Sequence, residues 1–328
     1  LKSVKGIGWY IDEYGIAQLS LNLTNINVTP VHVAFDEASE KARERGIRVT
    51  GSEIVGLVPL RVMIDAANHY LTKQERSLGI SNEEKIKIAV KSLGLDDLGP
   101  FDPKKRIIEY MIEGGSDQPL INMKLNDFAV ETSSESPAPG GGSISAYCGV
   151  LGVSLGTMVA NLSAHKRGWD DKWATYSEWA EKGMSYQQTL LNLVDEDTQA
   201  FNKIMDAFGL PKGTEEEKKA RKEAIQSATK YAIEIPLEVA RTAYQSMGVM
   251  KAMVDIGNPN SITDAGVGAM CARTAVLGAI MNVKINAGDL DDKGFVSKVL
   301  KECEQLTADS ESLEKELRNA VDQAIQPN

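Results

Sequence analysis

Hydrophobic and polar residues follow two different periods along the chain, and each period predicts its own kind of structure. From Ile16 to Thr24 leucines alternate with polar residues, which is typical of a strand with one buried face (Leu19, Leu21, Leu23). Gly6 to Ile11 predicts a preceding strand and Ile47 to Val49 a later one. Helices are expected after Thr29-Pro30 and from Leu60 to Leu71. The first hundred or so residues therefore predict an α/β domain, a small sheet with helices on one face.

After Leu120 the spacing of apolar residues is helical to the end of the chain. The predicted helices are 120–133, 143–165, 169–208, 214–256, 262–287 and 290–326. Helices of this length joined by short loops favour an all-α antiparallel bundle. We expect an α/β domain at 1–112, a glycine-containing linker at 113–120 and the helical domain at 121–328.

Two of the predicted helices have almost no charge. No charged side chain occurs between Ser136 and Ala164, and only Arg273 is charged between Ala265 and Val283. The first of these segments is long enough to span a membrane, but Pro, Gly and Ser dilute it, so a buried helix of a bundle is the better interpretation. Small residues along both helices predict close packing with each other or with a second subunit. We expect a homo-oligomer with the helical domain at its interface.

Composition narrows the function without identifying it. The 328 residues carry a formal net charge of −10, which argues against non-specific nucleic-acid binding. Three scattered cysteines suggest no disulfide framework, so a reducing, cytoplasmic location is expected. The chain begins at Leu1 without a methionine, as a fragment of a longer protein would.

Asp197 is the most informative single residue. It lies in the helical stripe that Tyr186, Leu190 and Leu193 begin, where the pattern asks for an aliphatic side chain. A carboxylate on such a face is disfavoured unless something there uses it, and its pKa tends to move toward a catalytic range. The structural alternative is an acid paired with an arginine of a neighbouring helix. Neither interpretation is excluded by the pattern alone.

A glycine-rich turn precedes the first uncharged helix. Pro139, Gly140, Gly141, Gly142 and Ser143 lead directly into the helical pattern. Unpaired N–H groups at a helix N-terminus form a cradle for an anion or a polar ligand. The simpler interpretation is the start of a buried helix.

Further candidate residues are polar groups at helix ends or on the second uncharged helix. They are Asn258, Ser261 and Asp264, then Asn282 and Asn286, and the basic pair Lys166 and Arg167. Helix capping explains the first three, with Asn260 or Ser261 as the cap and Asp264 in the first turn. A polar pocket at the end of the bundle is the functional alternative. The two asparagines either form hydrogen bonds with the backbone or bind the edge of a heterocyclic ligand. The basic pair is either a solvated helix end or a binding site for the acidic tail of a substrate.

Several catalytic motifs are missing from the sequence. It has no nucleophile triad, no metal-ligand spacing, no P-loop and no dinucleotide fingerprint after a strand. No metal is therefore expected.

Longer stretches resemble known families. The first domain is similar to the C-terminal subdomain of the glutamate formimidoyltransferase family at Gly6–Tyr10, Ala17–Leu23 and Val49–Leu60. The second is similar to the formimidoyltetrahydrofolate cyclodeaminase family at Ser136–Ser143, Leu193–Phe201 and Gly257–Gly268. The junction Pro100–Tyr110 resembles the joint between the two in the fused formimidoyltransferase-cyclodeaminase family.

The resemblance implies a specific activity and a specific carboxylate. Members of the cyclodeaminase family form helical-bundle dimers and convert 5-formimidoyltetrahydrofolate to 5,10-methenyltetrahydrofolate and ammonia. The acid of the family's motif falls on Asp197, and the turn from Pro139 to Ser143 falls at the rim of the folate pocket. A tetrahydrofolate substrate, polyglutamylated, is thus expected, with Lys166 and Arg167 suited to its glutamate tail.

The resemblance also limits what is expected of the first domain. The family's transferase reaction relies on an N-terminal subdomain with a catalytic histidine, and His32 and His69 do not match it. Transferase activity is therefore expected only of a longer protein. Two alternatives to the deaminase remain, a methenyltetrahydrofolate cyclohydrolase and a non-catalytic module for folate binding or oligomer formation.

Overall fold

A computed structural model describes residues 1–13, 15–112 and 118–326. The chain forms two compact units, Leu1–Ser116 and Asp117–Asn328. Tyr14, between the two predicted strands, and residues 113–117 of the predicted linker lie outside the described residues. The domain limits expected from the sequence stay a prediction. The fold class is confirmed, because a small sheet with helices is followed by a helical bundle.

The first unit begins with a two-stranded antiparallel sheet, β1 (Val4–Ile11) and β2 (Ile16–Leu23). The register pairs Gly6 with Leu21 and Gly8 with Leu19, so the leucines of β2 share a face with two glycines. Both predicted strands are confirmed. The predicted burial of Leu19 is wrong, since its side chain is 54% exposed and no described element covers it.

The third predicted strand, Ile47 to Val49, is not formed. The segment belongs to no sheet, and Ile47 is exposed. The reason is a different partner for the residues that follow. The Ser52 N–H donates to Gly94 O at 2.9 Å and Ser52 Oγ donates to Leu93 O at 2.6 Å, so the chain is held at a helix end. Further along the chain Val58 forms an isolated parallel bridge with Ile107.

Five helices follow the strands in the first unit as described. They are α1 (Val31–Arg43), α2 (Leu60–Lys73), α3 (Asn82–Leu93), α4 (Pro103–Arg106) and α5 (Ile108–Ile112). α3 has complete signals at both ends: Ser81 Oγ accepts the Glu84 N–H, and Gly94 adopts φ +63° after the last turn. The core lies between α2 and α3, where Met63, Ala66 and Leu93 are buried.

Two histidines join α1 to α2. The rings of His32 and His69 stack with centroids 4.5 Å apart. His69 Nε2 lies 2.9 Å from Asp36 Oδ2, and Asp36 also accepts from the Tyr70 hydroxyl and from Lys73. His32 is buried, and its Nδ1 has no hydrogen-bond partner among the described residues. Burial lowers the pKa of His32, and the neighbouring His69 lowers it further.

The second unit is a helical bundle. Its helices are α6 (Leu125–Thr132), α7 (Gly141–Ala164), α8 (Trp173–Gly209), α9 (Glu215–Ile256), α10 (Ile262–Ala287) and α11 (Lys293–Ala324). The predicted helices agree with these to within a few residues, except that α6 starts later and α8 is preceded by a 3₁₀ turn at Asp170–Lys172.

α7 packs on α8, α9 and α10. Glycines allow the close approach: a Cβ on Gly152 would lie 2.7 Å from Gly268 O, and a Cβ on Gly268 would lie 2.7 Å from Gly152 O. α7 and α10 are long and apolar enough to cross a membrane, with 61% and 50% of their most apolar windows buried in the protein. Their buried halves form the core with α8 and α9, as the sequence predicted for core helices.

The His32–His69 stack predicts a pH-dependent first unit. Because the pKa of His32 in the folded chain is below its ordinary value of 6.5, the unfolded chain binds the proton first as pH falls. Stability of the α1–α2 packing is therefore present above about pH 6.5 and is lost progressively below it. Amide hydrogen exchange of α1 can be compared at pH 7.5 and pH 5.5. After correction for the intrinsic effect of pH on exchange, α1 should open more often at pH 5.5.

The control for this prediction is His32→Phe, which keeps a ring on His69 but cannot be protonated. Its α1 exchange should lose most of the acid sensitivity, while Asp36 and Lys73 remain in place. An equal acid response in both proteins would show that His32 is not the responsible group.

Candidate functional site

Asp197 meets the N-terminus of α7. The Ser143 N–H donates to Asp197 Oδ2 at 2.9 Å. Ser143 Oγ lies 2.8 Å from Val194 O and 3.2 Å from Asp197 Oδ2, so its single proton serves one of them at a time. Ser143 is the third residue of α7, and its N–H is one of the four that a helix leaves without an internal partner. The carboxylate thus occupies the anion position that the glycine turn was predicted to offer.

Glycines make room for this carboxylate. A Cβ on Gly142 would overlap the Asp197 carboxyl group, so only glycine permits the contact. A Cβ on Gly141 would lie 3.3 Å from Nδ2 of Asn282, which places that amide beside the turn. Gly140 stands immediately before α7, after the buried Pro139. The turn, Asp197 and Asn282 therefore form one group, named here the Asp197 site.

The electrostatics of the Asp197 site suit proton transfer. Burial raises the pKa of the Asp197 carboxyl group, and the two hydrogen bonds from Ser143 offset part of that rise. No described residue forms an ion pair with Asp197, so the predicted structural alternative, an arginine partner, is absent from that part of the chain. Capping of α7 is the structural role that the geometry does offer. A half-buried carboxyl group with a raised pKa can both accept and return a proton.

The acids on either side of Asp197 have other partners. Asp195 is 2% exposed and accepts the N–H groups of Leu120 and Ile121 at 2.9 and 3.3 Å. Glu196 accepts from the Tyr231 hydroxyl at 2.6 Å, and burial with this bond raises the pKa of Tyr231 to about 12. Asp195 thus holds the segment that leads into α6, a role that no pattern in the sequence indicated.

An apolar surface continues from Asp197 along α8. Phe201, Met205 and Phe208 follow at helical spacing and are 43%, 53% and 50% exposed. The hydrophobic stripe of α8 is therefore buried only in its first part. One turn beyond Asp197, Phe201 offers an exposed aromatic ring beside the carboxylate.

The two candidate asparagines of α10 both bond to backbone. Asn282 Nδ2 donates to Gly278 O at 2.9 Å, within its own helix. Asn286 Nδ2 donates to Ala232 O at 2.8 Å and thereby ties α10 to α9. Asn282 lies at the Asp197 site, whereas Asn286 has a structural role one turn away.

The remaining candidates lie at the other end of α7. Lys166 Nζ donates to Asn258 Oδ1 at 3.2 Å and lies 4.0 Å from the centroid of the Trp169 ring. The Asn258 N–H donates to Ser163 Oγ at 2.8 Å, and Asn258 Oδ1 accepts the Asn260 N–H. Neither Asn260 nor Ser261 forms the predicted side-chain cap. Instead, the Asn258 side chain caps the 3₁₀ turn that precedes α10.

This second group is named here the Lys166 end. Ser261 is buried there, Asp264 lies in the first turn of α10 as predicted, and Arg167 is exposed. α7 has 24 residues and is about 36 Å long, so the Lys166 end and the Asp197 site are separated by the whole helix. Within one chain the candidate residues therefore fall into two groups at opposite ends of α7, and their part in binding stays a prediction.

Metal binding was not expected from the sequence. Within residues 1–13, 15–112 and 118–326 no group of three or more His, Cys, Asp or Glu side chains is placed to hold a metal ion. The expectation of a metal-free site stays a prediction.

Family models match nearly the whole chain. A model described as formiminotransferase-cyclodeaminase matches residues 124–305, and one described as the formiminotransferase domain matches residues 1–113. The formimidoyltransferase-cyclodeaminase of Mus musculus is 39% identical over 299 residues, which is 91% of this chain and 55% of the mouse protein. The Dictyostelium discoideum enzyme of that name is 39% identical over 97% of this chain and 58% of its own length. The chain spans about half the length of these curated relatives.

Two shorter proteins match the helical unit. A methenyltetrahydrofolate cyclohydrolase of Methylorubrum extorquens is 36% identical over 200 residues, which is 61% of this chain and 96% of that protein. The crystal structure of a formiminotetrahydrofolate cyclodeaminase from Thermotoga maritima superposes with a TM-score of 0.56 at 24% identity, covering 63% of this chain and all of that one. At that identity the superposition supports the fold of the helical unit.

Gly142→Ala is expected to disrupt the Asp197 site, because Gly142 is the residue against which the Asp197 carboxyl group packs. Alanine normally favours a helix by about 1 kcal/mol over glycine. At Gly142 the added methyl group must displace the Asp197 carboxylate from Ser143, leaving buried polar groups unpaired, and we expect a net destabilisation of about 1–3 kcal/mol. Chemical denaturation of the whole chain measures it.

The matched control is Gly248→Ala in α9, where an added Cβ has nothing within 4 Å. That variant should be as stable as the unchanged chain or slightly more so. Equal stability of the two variants would mean that the Gly142–Asp197 contact is not as tight as described.

Proposed function

Because this chain belongs to the formiminotransferase-cyclodeaminase family, we propose that residues 121–328 are a formimidoyltetrahydrofolate cyclodeaminase. The reaction is the conversion of 5-formimidoyltetrahydrofolate to 5,10-methenyltetrahydrofolate and ammonia. One observation carries the proposal above all: a half-buried carboxyl group with a raised pKa, in the family-matched segment, held at a helix N-terminus.

The reaction needs two proton transfers, at two nitrogen atoms that become bonded to the same carbon. N10 of the folate attacks the formimidoyl carbon and must lose its proton, and the amine that leaves that carbon must gain one. In our proposal the Asp197 carboxylate takes the proton from N10 and then donates it to the leaving nitrogen, which departs as ammonia. Burial supports this use, because a pKa nearer neutrality makes the same group an effective base and then an effective acid.

The neighbouring residues suit the binding and orientation of the folate. The Ser143 N–H holds Asp197 Oδ2, and the Ser143 hydroxyl, which it shares with Val194 O, lies 3.2 Å from the same oxygen, so Oδ1 is free of a Ser143 contact. The exposed ring of Phe201 is suited to stacking on the flat pterin. Gly140 and Gly141 lack side chains that would keep a flat ring from the turn, and the amide of Asn282 lies beside them.

The first unit has a different proposed role. Its match to a formiminotransferase domain supports a part in a transferase that supplies the formimidoyl folate. We propose that this activity belongs to a longer protein of histidine degradation and one-carbon metabolism. The cytoplasmic location expected from the cysteine content and the polyglutamylated form of the folate also remain proposals.

A methenyltetrahydrofolate cyclohydrolase is the second candidate. It is favoured by the similarity to the Methylorubrum extorquens enzyme over nearly all of that protein's length. Asp197 would then deprotonate the water that adds to the methenyl carbon. Ammonia release from the formimidoyl substrate and ring opening of the methenyl product, measured on one preparation, separate the two activities.

Asp197→Asn is expected to keep the fold and lose turnover by at least about 100-fold. The amide oxygen can still accept the Ser143 N–H, so the contact survives. Because the pKa of Asp197 is raised above 3.8 in the folded chain, ionisation costs stability as pH rises past that value. The asparagine variant should therefore be at least as stable as the unchanged chain at neutral pH. Methenyl formation is followed by its ultraviolet absorbance.

Full turnover by the stable Asp197→Asn variant would remove this carboxyl group from the mechanism. Folate binding without turnover by the unchanged chain would instead favour a non-catalytic binding module.

A further inference from the structure

α8 extends beyond the Asp197 site. α7 begins at Gly141, beside Asp197, whereas α8 continues from Asp197 to Gly209, which is about 18 Å at the rise of an α-helix. α9 begins at Glu215 and runs back against α8. The two helices therefore form an arm that projects past the glycine turn, named here the α8–α9 arm (residues 198–227).

An exposed apolar stripe runs along the α8 half of this arm. Phe201, Met205 and Phe208 are four, eight and eleven positions after Asp197, so they lie on the same side of α8 as its carboxyl group. On that side α7 packs against α8, and its N-terminus is held there by the bond from Ser143 to Asp197. The stripe thus faces the space directly beyond the glycine turn. A ligand with a reacting atom at Asp197 has the stripe as a continuing wall.

Arg221 of α9 stands at the far end of the stripe. Its Nε and Nη2 donate to Phe208 O at 3.4 and 3.1 Å, and its guanidinium carbon lies 5.7 Å from the centroid of the Phe208 ring. A guanidinium has five N–H groups, so the edge between Nη1 and Nη2 keeps donors for a carboxylate. Glu217, one turn earlier, is occupied by the N–H groups of Gly213 and Thr214.

The charge of Arg221 is not neutralised by a carboxylate of the described residues. Its neighbours on α9 are paired, Lys218 with Glu215 at 2.7 Å and Lys222 with Asp291 at 2.9 Å. Capping the C-terminal end of α8 is the structural role of Arg221, and it uses only the donors that reach Phe208 O. A fixed guanidinium beside an aromatic ring is suited to an anionic group on an apolar ligand.

The length of the stripe matches that of a folate tail. Asp197 and Phe208 are about 16 Å apart along the helix axis. From N10 of a folate, across the p-aminobenzoyl ring, the side-chain carboxylate of the first glutamate is about 12 Å away at ordinary bond lengths. A charge-assisted hydrogen bond adds about 3 Å. With N10 at Asp197 the first glutamate therefore reaches Arg221, whereas the Lys166 end is about 36 Å away along α7.

We propose that the Asp197 site continues along the α8–α9 arm as a subsite for the p-aminobenzoyl-glutamate tail of the folate. Met205 and Phe208 contact the ring, and Arg221 binds the glutamate carboxylate. The pterin lies across α8, between the glycine turn and Phe201, and the methylene before N10 lets the ring turn parallel to the helix. The subsite rests on the proposed function, which assigns a folate to the Asp197 site.

Binding of a folate with and without its glutamate tests the subsite. The probes are 5-formyltetrahydrofolate, which has no nitrogen to release as ammonia, and the methyl amide of 5-formyltetrahydropteroic acid, which has the same rings and no carboxylate. In Arg221→Gln the Kd of the folate should rise at least about tenfold, because a charge-assisted pair is lost. The Kd of the methyl amide should stay within about twofold. Titration calorimetry on the whole chain measures both.

Lys203→Gln is the matched control, because it removes the same charge from the other side of α8. Lys203 is about 240° around the helix from Asp197, and its Nζ lies 3.7 Å from the centroid of the Tyr231 ring. Both Kd values of this variant should match those of the unchanged chain. Met205→Gln, in the wall, should instead weaken both ligands alike, since both contain the p-aminobenzoyl ring.

Several results would overturn the subsite. Equal weakening of the two ligands by Arg221→Gln would leave Arg221 as a cap of α8 alone, and an unchanged Kd would exclude it from binding. Selective loss in Lys166→Gln with Arg167→Gln, and none in Arg221→Gln, would place the tail at the Lys166 end. Altered sedimentation of Met205→Gln with unchanged Kd values would make the stripe a protein interface.

The binding readout separates failure of the subsite from failure of the proposed activity. Selective loss of affinity in Arg221→Gln, without ammonia release by the unchanged chain, would keep the subsite and contradict the deaminase. Ammonia release with the same KM in Arg221→Gln and the unchanged chain would keep the deaminase and contradict the subsite. An unchanged chain that binds neither ligand and releases no ammonia would contradict both.

Discussion

Close packing around α7 is the constraint on which the rest of the helical unit depends. Gly152 and Gly268 bring the backbones of α7 and α10 together, and Gly149 and Gly156 accept Leu190 of α8 and Met250 of α9. A Cβ on Gly152 or Gly268 would collide with the backbone of the opposite helix, whereas a Cβ on Gly149 or Gly156 would require the contacting side chain to shift. Because α7 is held from three sides, its first turn is fixed relative to α8 and α10, and that turn positions Ser143 against Asp197.

The same packing explains why Asp197 differs from an ordinary surface acid. Its carboxylate lies over Gly142, where no side chain intervenes, and takes the place of a missing helical hydrogen-bond acceptor. Burial disfavours its charge while the Ser143 N–H and hydroxyl favour it. The balance leaves an oriented carboxyl group whose pKa is above its ordinary value, and these two properties suit one proton carrier for two successive transfers.

The sequence alone predicts much of this arrangement. The parts that it does not predict depend on contacts between distant residues. The spacing of apolar residues predicts α7 to α11, and a single carboxylate in an aliphatic stripe identifies Asp197. The role of Gly142 depends on a contact between residues 55 positions apart, which periodicity does not report. The third strand fails because Ser52 bonds to the end of α3, a tertiary partner that outweighs the local preference of Ile47 to Val49. The separation of Lys166 from Gly140, by contrast, already follows from the predicted length of the intervening helix.

The pH dependence of kcat in a Ser143→Ala variant tests most directly whether Asp197, as Ser143 holds it, is the proton carrier. The Ser143 hydroxyl lowers the pKa of Asp197, and its removal should raise that pKa while the backbone N–H remains. The acidic limb of the kcat profile for methenyl formation is therefore predicted to move to higher pH in the variant. An acidic limb that stays in place, or that moves to lower pH, would contradict the assignment of Asp197 as the group that carries the proton.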